Sequence, residues 1–240
     1  MLKKFIRFYL AKIGILLLIR QSYIWKLKNK KKTIKDNNEV YNLFFFINEL
    51  LLKNNLKIWP TFGTLLGIIR DNKFIDYDFD IDFGMFYDQD ARILLKKILT
   101  ENGFYLSTSF KIVNENEILA EKFFYKDSII SIDIYYFFKK NKQFLFYDLE
   151  SDSGLSVEEE DDLNMKIYPF ENYIKLFQLE KYVFKNNEIL VPTNVKNYLR
   201  ELYGEKFMIP NSKWRQKYRK NRNINRSKEV IFEYRKNKKL

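Results

Sequence analysis

Residues 62–83 read FGTLLGIIRDNKFIDYDFDIDF, and the stretch closes with Asp76, Asp78, Asp80 and Asp82 on alternate positions. In an extended strand successive side chains point to opposite faces, so the four carboxylates share one side. Tyr77, Phe79, Ile81 and Phe83 take the other, which suits a core. A row of like charges repels unless something cationic sits among it. A hard divalent ion carrying phosphate oxygens matches that need, because Mg²⁺ and Mn²⁺ take oxygen ligands and two aspartates one residue apart can grip one or two such ions.

Two neighbours extend the pattern. Gly63 and Thr64 stand before residues 65–70, which read as a short helix, and Asp71 and Asn72 make a turn into the acidic strand. A turn at a helix start leaves backbone N–H groups free, and these together with the helix dipole favour phosphate. Further on, residues 129–138 read IISIDIYYFF, a β-prone run with the single acid Asp133 in its middle. A carboxylate from a neighbouring strand would complete a metal site, and burying it without a partner is costly. The competing reading places Asp133 on the solvent side of a half-exposed strand.

Composition narrows the chemistry. The 240 residues are 46% hydrophobic and 18% aromatic, enough for one globular core with appendages. The chain has no cysteine and no histidine. Disulfides, thiolate nucleophiles, zinc fingers and Ser-His or Cys-His catalysis are thereby excluded. What remains is carboxylates, Lys/Arg, hydroxyls and hard metals. The net charge of +12 is unevenly spread: residues 1–32 hold ten Lys/Arg and no acid, and residues 213–240 hold twelve against two Glu, so the body between them is acidic. Basic ends of this kind suit an anionic surface, either lipid headgroups or nucleic acid.

Residues 1–26 are apolar with scattered cations, and Arg7, Lys12 and Arg20 interrupt them. A spanning helix needs about 20 apolar residues, and a central cation costs about 2.5–3.5 kcal/mol. The reading is an amphipathic interfacial helix, the alternative a helix packed on the protein's own body. No small-residue cleavage site stands out, so a secretory signal is not expected. Helices are expected over 38–52, 90–101 and 194–203, with Gly204 as the last one's stop. Strands are expected over 56–59, 104–113, 119–125 and 144–147. Residues 151–162, with their EEEDD run, read as a solvated loop, residues 167–184 as helix or loop, and 185–188 as a hairpin turn into 189–192. The basic tail reads as helical over 229–236. No internal repeat is present.

A glycine with Ser/Thr, a short helix, then hydrophobic-Asp-hydrophobic-Asp resembles the nucleotidyltransferase superfamily fold. The detail GTLLG at 63–67, Arg70, Ile75 and the Asp78, Asp80, Ile81, Asp82 series is similar to the LicD/fukutin family. Ile132, Asp133 and Ile134 resemble the family's later strand with the third acid. Val191-Pro192, Tyr198-Leu199, Tyr203-Gly204 and Pro210 resemble its C-terminal segment, so the likeness covers about 38–210. The family commonly has Pro-Trp before three consecutive acids; here Asp76 and Tyr77 precede Asp78, and Phe79 replaces the middle acid.

The resemblance implies an α/β (α+β) domain, a nucleotidyltransferase-like mixed β-sheet flanked by helices, over 33–212. A basic amphipathic helix (1–32) precedes it and a basic tail (213–240) follows. It implies an enzyme, a LicD-type phosphotransferase that moves a phosphocholine-like group or polyol phosphate from a CDP-linked alcohol donor. The acceptor is a sugar hydroxyl of a cell-surface glycan or its lipid-linked precursor, as in lipopolysaccharide biosynthesis. Asp80 and Asp82 would hold Mg²⁺ or Mn²⁺, and Asp133 would complete the site and accept the attacking hydroxyl's proton. Gly63 and Thr64 would cradle phosphate, with Lys73 a weaker contact. Arg70 would stabilise negative charge or clamp Asp78, a supporting carboxylate, and Asp76 is spare. Tyr77, Tyr135 and Tyr136 either line a donor pocket or pack the core. The expected place is the cytoplasmic face of a membrane, held by the N-terminal helix, with nucleic acid not a partner. Nucleotidyl transfer to a small molecule or nucleic acid, and a non-catalytic membrane scaffold, are the alternatives.

Overall fold

A computed structural model of the chain describes residues 39–76, 80–126, 128–148, 168–211, 219, 222–225 and 228–234. The N-terminal helix expected over 1–32, Tyr77, Asp78 and the acidic run at 151–162 lie outside the described residues. Two units divide at Asn42 and Leu43, and the site described below lies in the second, Leu43–Leu240.

The element order is α1 (Glu39–Lys53), β1 (Ile58–Pro60), α2 (Phe62–Asp71), β2 (Asp80–Phe86), α3 (Gln89–Glu101), β3 (Phe104–Ile112), β4 (Ile118–Tyr125), β5 (Ser131–Lys140), β6 (Gln143–Asp148), β7 (Phe170–Lys175), β8 (Leu179–Phe184), β9 (Asn187–Pro192), α4 (Val195–Tyr203), β10 (Arg222–Ile224) and β11 (Val230–Tyr234). The fold is a mixed α+β one, as the sequence suggests. A nine-stranded sheet runs β10-β7-β6-β5-β4-β3-β11, with β2 paired in parallel to β5 and β1 antiparallel to β2; β8 and β9 form a separate hairpin. At the hairpin tip Lys185 and Asn186 both have positive φ, 47° and 64°, the backbone a two-residue turn between twisted strands requires.

The strands β10 and β11 lie at opposite ends of the hydrogen-bonded path, yet only residues 225–229 separate them. Seven strands laid flat would span about 29 Å at roughly 4.8 Å each. The short connector reaches about 20 Å at roughly 3.4 Å per residue. The sheet must therefore curl.

Four expectations are corrected. The tail segment read as helical over 229–236 is instead strand β11 over Val230–Tyr234, antiparallel to β3 with Val230 opposite Ile112; pairing to a distant strand overrides a local helical pattern. The region read as helix or loop over 167–184 holds β7 and β8. In β7 the buried positions are Phe170, Asn172 and Ile174, and a buried asparagine breaks the apolar alternation that signals a strand. Its amide donates to the Phe170 carbonyl at 3.0 Å. The acidic strand is described over Asp80–Phe86, and Asp76 sits off it in an exposed turn, paired with Lys73 at 2.8 Å. The short helix starts earlier than expected, so Gly63 and Thr64 lie within its first turn.

The central strands have two distinct faces. Phe83, Ile132, Ile134 and Tyr136 are buried on one, where Phe44 of α1 stacks on Phe83 with centroids 5.3 Å apart. From α3, Arg92 reaches the fully buried Glu121 of β4. The opposite face carries Asp80, Asp82, Asp133 and Tyr135 at one end and an aromatic cluster at the other, where Trp59 meets Phe86, Phe137 and Phe177 at 4.7–5.3 Å. Trp59 lies opposite Gly84 across β1 and β2, and a Cβ at Gly84 would stand 2.4 Å from the indole. A methyl there overpacks a buried site, so Gly84→Ala is expected to lower stability by about 1–3 kcal/mol, read as a shifted denaturant midpoint.

Candidate functional site

The parallel pairing of β2 with β5 sets the site. Its register places Asp80 beside Ser131 and Asp82 directly beside Asp133. Residues paired in register point to the same face, so the Asp133 carboxylate joins the two from β2. Ligand oxygens of Asp80, Asp82 and Asp133 all lie within 4.8 Å of one another. Asp82 and Asp133 are 8% and 7% exposed, which decides against the solvent-facing reading of Asp133.

The start of α2 is bolted to this strand through the backbone of Asp82. Its N–H donates to the Thr64 hydroxyl oxygen at 2.9 Å, and its carbonyl accepts from the Thr61 N–H at 3.0 Å. Thr64 thus fixes the height of Asp82 in addition to whatever it offers a ligand with its own proton. Thr61 caps the helix through its carbonyl, which accepts from the Leu65 N–H at 3.0 Å. Its hydroxyl bonds instead to the Tyr198 phenol of α4 at 2.6 Å. The first helical residue, Phe62, is held at φ 42°, a left-handed value that costs energy for a side chain with a Cβ and persists only where surroundings enforce it. The Phe62 ring stands edge-on to Tyr135 at 4.7 Å.

A cation absent from the sequence reading completes the row. Lys122 of β4 lies opposite Asp133 in the antiparallel β4–β5 register, and its Nζ is 3.8 Å from an Asp133 oxygen. Asp82, Asp133 and Lys122 thus form a line across three strands. Tyr135, two residues beyond Asp133, keeps its phenol well above the ordinary value, first through burial and then through the charges of Asp82, Asp133, Asp80 and Asp148. It stands at the site as a neutral hydroxyl.

The other candidates fall elsewhere. Arg70 forks onto its neighbour Asp71 with bonds of 2.9 and 2.7 Å, and Lys73 pairs with the exposed Asp76. Tyr136 points to the opposite face and donates to Glu121 at 2.7 Å, so for this tyrosine core packing is the outcome. Thr61 and Lys122 carried no signal in the sequence, and Tyr198 stood out only within the family-like C-terminal segment, not as a partner of Thr61. Thr61 looks like an ordinary cap, and Lys122 like the polar position of an alternating strand.

Burial pushes the Tyr198 phenol up to about 12, against the lowering effect of its bond to Thr61. The unfolded tyrosine ionises near 10, so the unfolded chain releases its proton first as pH rises. The contribution is complete below pH 10 and lost between pH 10 and 12, on the order of 2–3 kcal/mol. Tyr135 and Tyr136 are shifted the same way. Urea unfolding at pH 9 and pH 11.5 is expected to show a marked loss at the higher pH, shallower in Tyr198→Phe.

Three clustered carboxylates are donors a hard divalent cation takes. Asp80, Asp82 and Asp133 each offer a carboxylate oxygen to one point, so the residues present fit Mg²⁺ or Mn²⁺. A mixed sheet whose parallel strand pair gathers three acids beside the first turn of a short helix defines a nucleotidyltransferase-type domain. Residues 55–194 match the LicD/FKTN/FKRP nucleotidyltransferase domain, and the chain belongs to that family. An uncharacterized protein of Rickettsia typhi is 27% identical over 184 residues, covering 75% of this chain and 50% of that protein. One of Rickettsia prowazekii is 40% identical over 62 residues, 26% of this chain and 23% of the relative. This chain therefore spans half or less of the length of these curated relatives. Among the described residues no helix is long and apolar enough to cross a membrane.

Proposed function

We propose that the protein is a metal-dependent transferase that moves a phospho-alcohol, phosphocholine-like or a polyol phosphate, from a CDP-linked donor to a sugar hydroxyl of a surface glycan or its lipid-linked precursor. The observation that carries this reading is the meeting of Asp80, Asp82 and Asp133 within 4.8 Å beside the first turn of α2. Asp80 and Asp82 would hold Mg²⁺ or Mn²⁺, and Asp133 would complete the donor set. A bound divalent ion supplies charge neutralisation to the donor diphosphate.

The remaining steps belong to the chain's own side chains. The acceptor hydroxyl attacks the phosphorus that bears the alcohol, the bond from that phosphorus to the CMP oxygen breaks, and CMP leaves. Asp133 would accept the hydroxyl proton. Lys122 is close enough to Asp133 to exchange its carboxylate partner for a phosphate oxygen. Gly63 and the Thr64 hydroxyl proton would contact phosphate at the helix start. Lys122→Met is expected to raise the donor KM about tenfold, the scale of one bond to a charged group, with kcat less affected.

Residues 1–32, basic and apolar, would hold the enzyme to the inner face of a membrane. The test of the function is incubation with Mg²⁺, a panel of CDP-alcohols and a glycan acceptor. CMP release that stops on chelation is expected. Release of pyrophosphate from a nucleoside triphosphate, with every CDP-alcohol left intact, would overturn it.

A further inference from the structure

The C-terminal segment lies beyond the residues that match the family domain, and its described part is woven into the body at several points. Strand β10 pairs with β7, and Asn225 follows with its N–H on the Pro169 carbonyl at 3.0 Å and its amide on Glu171 at 2.8 Å. Lys228 pairs with Glu115 at 3.0 Å, Glu229 accepts from the Val113 N–H at 2.8 Å, and β11 runs along β3. Just before β10 stands Arg219, whose side chain is 3% exposed.

Its guanidinium donates to Asp148, itself 1% exposed at the end of β6. It also lies over two rings, 4.8 Å from the centroid of Phe62 and 5.4 Å from that of Phe146. Phe62 is the residue at positive φ that opens α2, one position from Thr61 and two from Thr64, the residues bonded to the Asp82 backbone. A conformation that costs energy needs a fixed contact to keep it populated. The arginine, held in a plane by its carboxylate and pressed on the ring, provides one.

We infer that Arg219 is a positioning residue: clamped by Asp148, it pins Phe62 and with it the α2 turn that sets Asp82, so the basic C-terminal segment is a clasp that completes the carboxylate site. The inference uses the reading of that site as a cation centre for one of its two readouts only. An apolar pair of similar volume commonly replaces a buried ion pair without loss of stability. The decisive protein is therefore the full chain carrying Arg219→Met with Asp148→Leu, compared with the parent by thermal unfolding, amide hydrogen exchange and Mn²⁺ titration without donor.

The double variant is expected to unfold within a few degrees of the parent. The Asp82 and Leu65 amides should nevertheless exchange faster than in the parent, with remote amides such as Asn102 unchanged, and Mn²⁺ should bind about tenfold more weakly. A folded double variant with parental exchange at Asp82 and Leu65 and parental Mn²⁺ affinity overturns the clasp. Should the double variant fail to fold, Arg219→Lys decides. It keeps the charge and loses the flat stacked group, so weakened Mn²⁺ binding and faster Asp82 exchange support the clasp and parental values overturn it. A parent that binds no Mn²⁺ overturns the cation centre, and amide exchange alone then judges the clasp.

Discussion

Asp82→Asn is expected to lower kcat for CMP release by at least about 10²–10³-fold, the scale seen when one preorganised electrostatic group is removed from a reacting centre. The substitution removes a charge and leaves the bonds to Thr61 and Thr64 in place, because these hold the Asp82 backbone and not its carboxylate. Neutralising one of three carboxylates packed within 4.8 Å relieves repulsion in the metal-free protein. The variant should therefore unfold at or above the parent's temperature. Loss of activity together with a lower unfolding temperature would mean that Asp82 serves the fold and not the chemistry.

The largest expected effect on stability lies on the other face of the sheet. Arg92 donates to both oxygens of Glu121 at 3.1 and 2.7 Å, and Tyr136 and Ser109 add bonds of 2.7 and 3.2 Å. Glu121 is fully buried, and Arg92 is 12% exposed at its side chain. Arg92→Met leaves the carboxylate in the core without its counter-charge, so a loss of about 3–5 kcal/mol is expected. Denaturant titration would show it as a shifted midpoint with an unchanged slope. Adding Glu121→Leu should recover much of the loss, since the penalty belongs to the orphaned charge. A single variant as stable as the parent would show that water or another cation reaches Glu121.

The sequence made the acids of the site legible because their signal is local and contrary to burial. Asp80 and Asp82 alternate with core residues, and Asp133 interrupts an apolar strand, so each asks for a partner. That the two strands pair in parallel, with Asp82 beside Asp133, needs a register no local pattern carries. Groups supplied from far along the chain stayed hidden for the same reason. Tyr198 meets Thr61 across 137 positions and Arg219 meets Asp148 across 71. The C-terminal strands were misread because Lys and Arg dominate their surroundings, and edge pairing with β3 and β7 outweighs composition. Gly63 and Thr64 stand out in the sequence as a turn suited to phosphate, whereas the bond of Thr64 to the Asp82 N–H followed only from the packing of α2 on β2.

The central claim is that carboxylates from two parallel strands form one divalent-cation site. Electron paramagnetic resonance of Mn²⁺ titrated into the parent and into Asp133→Asn tests it most directly. One tightly held ion per chain is expected in the parent, with binding weakened by at least about tenfold in the variant. Equal binding by Asp133→Asn would show that Asp133 is not a ligand, and would contradict the claim that β2 and β5 share the site.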